Sequence, residues 1–441
     1  MRQTSRRRLG AIAVLACLPG CTRDTGDNAV TRFLGMDSTA TTPMEATALP
    51  LAADVAEASP IIAALQQRRS AIRPGTPYAR VAQAVMASDA RVAEAELRVA
   101  QLRSEAAQKN WMPRIGPRAS LTSLGDVVAQ LVVEQVILDN GRMLAERDKA
   151  KADVELAAVA MVEDGNARVF EALSLYLLAE EGRDSRAHFG RALNDMSEFE
   201  WIMERRVQGG VSDRSDLTVL RQKLGTIRAR RDAAEESTRT ALAELRTMTA
   251  RPMDEIFGLG DLHAAAENAP LGVLRAEAER EVTLASARIQ RAGYLPGLAA
   301  NGSVDRGGNA MGGLEITSDS LFGLGTMAEL NAIEVGREAA GRRVAQAQEA
   351  AAREIASQTR QIEAYRGQLS EARLLTVEAK RNLDLFQRQY EGGQRQVMDV
   401  VGVYETYSAA LEKEIDLRYK AARAELDLAR LKGALAEGAR M

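Results

Sequence analysis

Two stretches of this chain carry the same polar pattern. RVQGGVSDRSDLT runs from Arg206 to Thr218, and QYEGGQRQVMDVV from Gln389 to Val401. In each, a glycine pair (Gly209-Gly210 or Gly392-Gly393) precedes an aspartate, Asp216 or Asp399, six residues beyond the second glycine. The copies lie 183 residues apart (393 minus 210; 399 minus 216). Glycine takes the left-handed conformation that closes a helix C-terminus. An aspartate just after such a turn can complement the N-terminus of the next helix. Repeated around a symmetric ring, it can instead line an acidic, cation-favouring constriction. Nothing else points to covalent chemistry. The two histidines, His188 and His263, stand in no ligand spacing with cysteines or carboxylates, and no phosphate-cradling loop follows a strand. The chain reads as a non-enzyme without metal or cofactor.

The N-terminus carries a different signal. Arg2, Arg6, Arg7 and Arg8 precede an apolar run from Leu9 to Leu18, too short to span a bilayer as a permanent helix. It ends in Leu18-Pro19-Gly20-Cys21, which resembles the bacterial lipoprotein cleavage motif. The expectation is a signal segment over 1–20 and lipidation of Cys21; the alternative is an ordinary cleaved signal with an incidental cysteine. Cleavage there removes Cys17 and leaves one cysteine, so no intrachain disulfide can form. Acyl chains on Cys21 would anchor the protein in lipid at about 0.8 kcal/mol per buried methylene. Thr22 after the cysteine is consistent with sorting to the outer membrane.

Composition tells which elements hold the paired turns. Aromatics are only 4% of residues, and charge is balanced at 58 basic against 61 acidic side chains. That is the mix of long helices packed through small residues. It lacks the concentrated basic face that nucleic acid requires. The eleven prolines leave 118–251 and 297–441 free of any, and an internal proline costs a helix about 3 kcal/mol. Arg142 to Arg206 is helix-compatible throughout, about 98 Å at 1.5 Å per residue. Phe189, Leu193, Met196, Met203 and Val207 form one apolar stripe before the first glycine turn, and Leu217, Leu220, Leu224 and Ile227 form another after it. Adding 183 to the second set gives Val400, Val403, Tyr407 and Ala410. Two long helical hairpins, one in each half of a duplicated chain, follow.

Pro113 and Pro296 are also 183 apart, behind Trp111-Met112 and Tyr294-Leu295. Each opens a region unlike the helices, and strand hairpins are expected over 114–136 and 297–317. The predicted organisation is a tether at 21–50, a first repeat at 51–250 with its tip turn at 207–213, a connector at 251–269, and a second repeat at 270–437 with its tip turn at 390–396. Each repeat runs helix, strand, strand, long helix, turn, helix. The fold class is mostly α with short β-hairpins. Four strands cannot close a barrel, and an open edge cannot face lipid. Several copies would solve this, three of them bringing twelve strands.

Leu51-Ala-Ala-Asp-Val-Ala-Glu-Ala-Ser-Pro60, the paired segments ending in Pro113 and Pro296, Gln135-Val-Ile-Leu-Asp-Asn-Gly-Arg142 and the stretch from Tyr390 through Val401 to Leu435 together resemble the TolC-like outer-membrane efflux protein family, in its lipoprotein branch. The resemblance implies a homotrimer with a 12-stranded β-barrel in the outer membrane and a trimeric α-barrel of coiled-coil hairpins in the periplasm. It implies a channel-tunnel for efflux or type I secretion, working with a periplasmic adaptor and an inner-membrane pump. Gly209, Gly210, Gly392 and Gly393 then mark tips that dock the adaptor. Tyr390 and Arg395 correspond to residues that latch the entrance through an aspartate matching Asp216, and Asp399 to a carboxylate lining it. A second lining carboxylate of the family is Gly402 here.

Such a latch is one reading of the Arg-Asp pair; a solvent-exposed pair worth ~0–1 kcal/mol is the other. For the whole chain the rival is a periplasmic adaptor or coiled-coil scaffold lipoprotein without a pore. An adaptor carries one helical hairpin between β-rich domains, whereas this sequence carries two in tandem.

Overall fold

The computed structural model describes residues 59–88, 92–121, 127–249, 251–262, 268–305, 307–320 and 323–437. The signal segment, Cys21, the tether and His263 lie outside them. Two short helices come first, α1 (Pro60–Gln66) and α2 (Pro77–Met86). Each begins with proline behind a hydroxyl N-cap: Ser59 accepts the Ile62 N–H and Thr76 the Ala79 N–H. Then follow α3 (Val92–Gln108), β1 (Arg114–Leu121), β2 (Val127–Leu138), α4 (Arg142–Gln208) and α5 (Arg214–Met248). The second half holds α6 (Leu271–Gly293), β3 (Gly297–Asp305), β4 (Ala310–Thr317), α7 (Thr326–Glu391) and α8 (Val397–Leu431).

The 183-residue offset reaches the element ends. It separates the starts of α5 and α8 (397 minus 214), their ends (431 minus 248), the ends of α4 and α7 (391 minus 208) and the starts of β1 and β3 (297 minus 114). At 67 residues α4 is about 100 Å long. Its start is built by Asp139-Asn140-Gly141. Asn140 and Gly141 take φ of 54° and 84°, the Asp139 carboxylate accepts the Gly141 and Met143 N–H groups, and the Asn140 amide donates to the Pro296 carbonyl at 2.9 Å. The first half is thereby tied to the first strand of the second.

The four strands form one antiparallel sheet in the order β1-β2-β3-β4. The strand hairpins expected separately in each half are joined, because β2 pairs with β3 from Gln130↔Asp305 to Leu138↔Leu298. A lone hairpin is marginal, and the extra ladder supplies what each lacks. β1 and β4 are left as edges.

α4 lies at the centre of the helical body. It contributes to three apolar clusters: one with α1, α3 and α6, one with α2, the end of α5, the connector and α8, and one with α5, α7 and α8 at the hairpin ends. α7, nearly as long, buries only Thr326, Ala340, Val344, Ile362, Ala372, Thr376 and Leu383 among its described residues. Arg68, just after α1, holds the turn that follows α8: its guanidinium donates to the Lys432 and Gly433 carbonyls at 3.2 Å. Burial lowers its pKa to about 10.

Candidate functional site

Both hairpin tips are built the same way. In the first, Gly210 (φ 70°) donates to the Val207 carbonyl at 3.1 Å and Val211 to the Arg206 carbonyl at 2.8 Å. In the second, Gly393 (φ 71°) donates to Tyr390 at 2.9 Å and Gln394 to Gln389 at 2.8 Å. These are the paired N–H bonds of a Schellman cap, which satisfy the last carbonyls of α4 and α7. Gly209 and Gly392 precede them at φ of −81° and −77° and serve as the helix C-caps.

The side chains on this shared backbone differ. The Arg206 Nε donates across the first turn to the Ser212 hydroxyl at 3.0 Å. At the matching place in the second (212 plus 183 is 395), the Arg395 Nε donates at 3.1 Å to Gln389, the residue matching Arg206. The brace is kept with donor and acceptor exchanged. The Arg395 guanidinium also lies 4.5 Å from the centre of the Phe386 ring, a cation–π contact.

The carboxylates divide in the same way. Asp213 caps α5 by accepting the Ser215 N–H at 3.1 Å, and hydrogen bonds from Ser215 hold its carboxyl below the usual range. At the second tip Gln396 takes the N-cap place, and Asp399 completes a capping box by accepting the Gln396 N–H at 3.1 Å. Asp399 is thus a helix-capping carboxylate, at an exposed position. Its counterpart Asp216 is half-buried in the first turn of α5. Among the described residues of one chain, Asp216 and Arg395 do not meet. Tyr390 is half-buried against the cluster formed by Leu383, Val397 and Val400.

Above the tips, the two hairpins are joined by polar contacts whose residue types alone read as solvated helix faces. The Tyr404 hydroxyl donates to Asp195 at 2.7 Å, and Lys223 pairs with Glu405 at 2.5 Å. His188 Nε2 lies 3.0 Å from the Ser408 hydroxyl, and Arg230 pairs with Glu412 at 2.7 Å. Farther up, Arg418 and the Tyr419 hydroxyl meet Asp184 at 3.0 and 2.7 Å, and Arg423 meets Glu181. All of them join α8 to α4 or α5. Burial and the Asp195 acceptor push the Tyr404 hydroxyl up, so it remains a donor. This extra partner also turns α8: its buried stripe is Val397, Val400, Val401 and Tyr404, while Val403 and Tyr407 are only half-buried.

At the other end, the sheet register sorts side chains by face. Ile115↔Val133↔Gly302↔Gly312, Pro117↔Leu131↔Val304↔Ala310 and Leu298↔Ile316 share one side with Ala300 and Leu314. The opposite side is mainly polar, with Arg114, Arg118, Gln130, Glu134, Asn301, Ser303 and Glu315 beside Val132, Val136 and Met311. The apolar side is not covered: Leu314 and Ile316 are 70% and 74% exposed. One apolar and one polar face, both open, is the pattern of a strand set between lipid and an aqueous lumen. No helix among the described residues is long and apolar enough to cross a membrane, and none of their acidic, histidine or cysteine side chains form a metal-binding group.

Comparison with known proteins agrees with this geometry. Residues 262–434 match the family model described as Outer membrane efflux protein. No curated protein matches the chain in sequence. Among solved structures, a membrane protein from Pseudomonas aeruginosa is similar at a TM-score of 0.72 and 16% identity, over 84% of this chain and 92% of that one. The CmeC outer membrane channel of Campylobacter jejuni gives 0.69 at 14% identity, over 83% and 87%. The open state of the MtrE outer membrane channel of Neisseria gonorrhoeae gives 0.64 at 16% identity, over 86% and 90%. The likeness is one of fold, and it spans more than four fifths of each chain.

Proposed function

With its second half similar to the outer membrane efflux proteins and its fold that of a TolC-like channel, we propose that the chain is one subunit of a homotrimeric channel-tunnel in the outer membrane, carrying efflux or type I secretion cargo outward. A periplasmic adaptor and an inner-membrane pump would be its partners, and acylated Cys21 its lipid anchor. The observation that carries the proposal is the sheet. Its inner ladder joins the second strand of one half to the first strand of the other, leaving β1 and β4 unpaired at the edges.

The repeat gives the missing ladder. β4 corresponds to β2 and β1 to β3, so β4 of one copy would pair with β1 of the next as β2 pairs with β3. Moving Val133↔Gly302 by 183 residues gives Ile316↔Ala119 between copies, and Glu134↔Asn301 gives Thr317↔Arg118. Three copies close twelve strands, with the Leu314 face toward lipid and the Arg114 face toward the lumen. A scaffold without closure would leave an exposed apolar edge, which is an aggregation hazard.

The tips would form the periplasmic entrance. Gly209, Gly210, Gly392 and Gly393 would present the turns to the adaptor, and Asp216 of one copy would take Arg395 and Tyr390 of a neighbour as a latch. Asp399 would form an acidic ring in addition to capping α8. The test is a double variant, Ala119→Cys with Ile316→Cys. Oxidation in outer membranes should give a ladder ending at trimer, and the purified protein should give discrete conductance steps in planar bilayers. Monomers alone and no steps would return the chain to the scaffold reading.

A further inference from the structure

The hairpin seam holds a buried titratable group for which the channel reading so far has no use. His188 is 2% exposed, on α4 about 30 Å from the tip (208 minus 188 residues at 1.5 Å each). Its ring crosses the seam to the Ser408 hydroxyl of α8 at 3.0 Å. The next contact between α8 and α4 toward the tip is the Tyr404–Asp195 bond. Any separation of α8 from the first hairpin must break both, because α8 carries these links to α4 and α5.

The surrounding charges give an imidazolium no support. On α4 the neighbours are Arg191, a cation, and Asp184, which is already held by Arg418 and Tyr419. On α8 Glu405 and Glu412 flank Ser408, but each is paired with a cation of α5, Lys223 and Arg230. Asp195 accepts from Tyr404. On α7, Lys380 lies 5.8 Å from the centre of the Tyr407 ring and is itself paired with Asp384, so this pair adds no free carboxylate. Burial, and then Arg191, hold the His188 pKa below the ordinary histidine value, against a smaller opposing pull from a hydrogen bond to the Ser408 backbone.

We propose that the His188–Ser408 contact makes the seam between the two hairpins a proton-sensitive clasp, so that acidification of the periplasmic side favours separation of the hairpins and opening of the entrance. The sign follows from linkage. With the seam parted, His188 is in water and binds its proton near the usual ~6.5. With the seam closed, protonation requires a more acidic solution. The closed seam therefore has its full stability above the ordinary histidine value and loses it as pH falls through that value.

This inference rests on the channel reading, so two measurements are needed. In planar bilayers, wild-type conductance should rise several-fold as the tip side is taken from about pH 8 to about pH 5. His188→Gln keeps a hydrogen-bonding group that does not titrate in this range, and should flatten that profile. Arg423→Gln, which removes the Glu181 link two turns along α4 from His188, should raise conductance at every pH while leaving the slope. A channel without a slope, or a slope that survives in His188→Gln, overturns the clasp and leaves the channel standing. Independently of conduction, amide protection over 404–412, taken relative to the intrinsic exchange rate at each pH, should fall on acidification in the wild-type protein by more than in His188→Gln. Equal acid responses in the two proteins would overturn the clasp even if no conductance were seen.

Discussion

The two hairpin tips have one backbone and two chemistries. Gly210 and Gly393 take φ of 70° and 71° and close the same pair of N–H bonds. Yet the first tip caps its outgoing helix with Asp213 and leaves Asp216 without a capping role, whereas the second uses Gln396 and commits Asp399 to the cap. The cross-turn brace is reversed too, with arginine at Arg206 in one and Arg395 in the other. Duplication preserved what fixes the chain direction and released what faces outward. The difference teaches that a matched aspartate in a repeat need not keep a matched role.

The largest expected effect probes the part where the copies have diverged in burial. Leu220 is fully buried in α5, and its counterpart Val403 in α8 is half-buried. Leu220→Ala should cost about 2–5 kcal/mol and Val403→Ala about 1 kcal/mol, read as lost amide protection in the respective hairpin. Equal losses would mean that the α4–α8 seam does not rotate α8 as described. Next come the turns themselves. At Gly210 and Gly393 no atom lies within 4 Å of the place a methyl group would take, so alanine meets only the left-handed backbone, at about 1–2 kcal/mol. Gly210→Ala and Gly393→Ala should therefore lose the same amount, and unequal losses would break the claim of a shared backbone.

The caps should separate the tips again. Asp213→Ala should loosen the start of α5 and Asp399→Ala the start of α8, each by less than the glycine changes. The Asp213 carboxyl titrates below its ordinary range. Its contribution is thus present above about pH 3.9, the unfolded value, and disappears as pH falls through the lower folded value. Exchange at Ser215 measured across that window should show the loss in the wild type and none in Asp213→Ala.

Much of the fold is legible in the sequence because it is periodic. Of the stripe at Phe189, Leu193, Met196, Met203 and Val207, the first four are buried as the spacing requires and Val207, beside the turn, is half-buried; the 183-residue offset is a property of the letters alone. The single sheet is not legible, since nothing local in Gln130–Leu138 says which partner its second edge takes. The seam is hidden for a different reason. Asp195, Glu405 and Lys223 have the composition of a solvated helix face, and only the approach of α8 to α4 and α5 brings them together. Likewise, Asp399 can be read as a lining carboxylate or a cap from its position after Gly-Gly, and hydrogen-bond geometry is needed to find the Gln396 N–H on it.

The smallest expected effect on stability is the most informative about the tips. Asp216 sits where Asp399 sits, three residues beyond the N-cap, but Asp213 already satisfies the helix start. Asp216→Asn should therefore leave the unfolding of α5 unchanged within about 0.5 kcal/mol, while Asp399→Asn weakens α8. If Asp216 instead serves a neighbouring copy, the same substitution should raise single-channel conductance, and Arg395→Ser should raise it by a similar factor. The double variant should then add little, because one pair is lost either way. A stability loss in Asp216→Asn equal to that in Asp399→Asn would show that the copies kept one role. Additive conductance changes would separate Asp216 from Arg395.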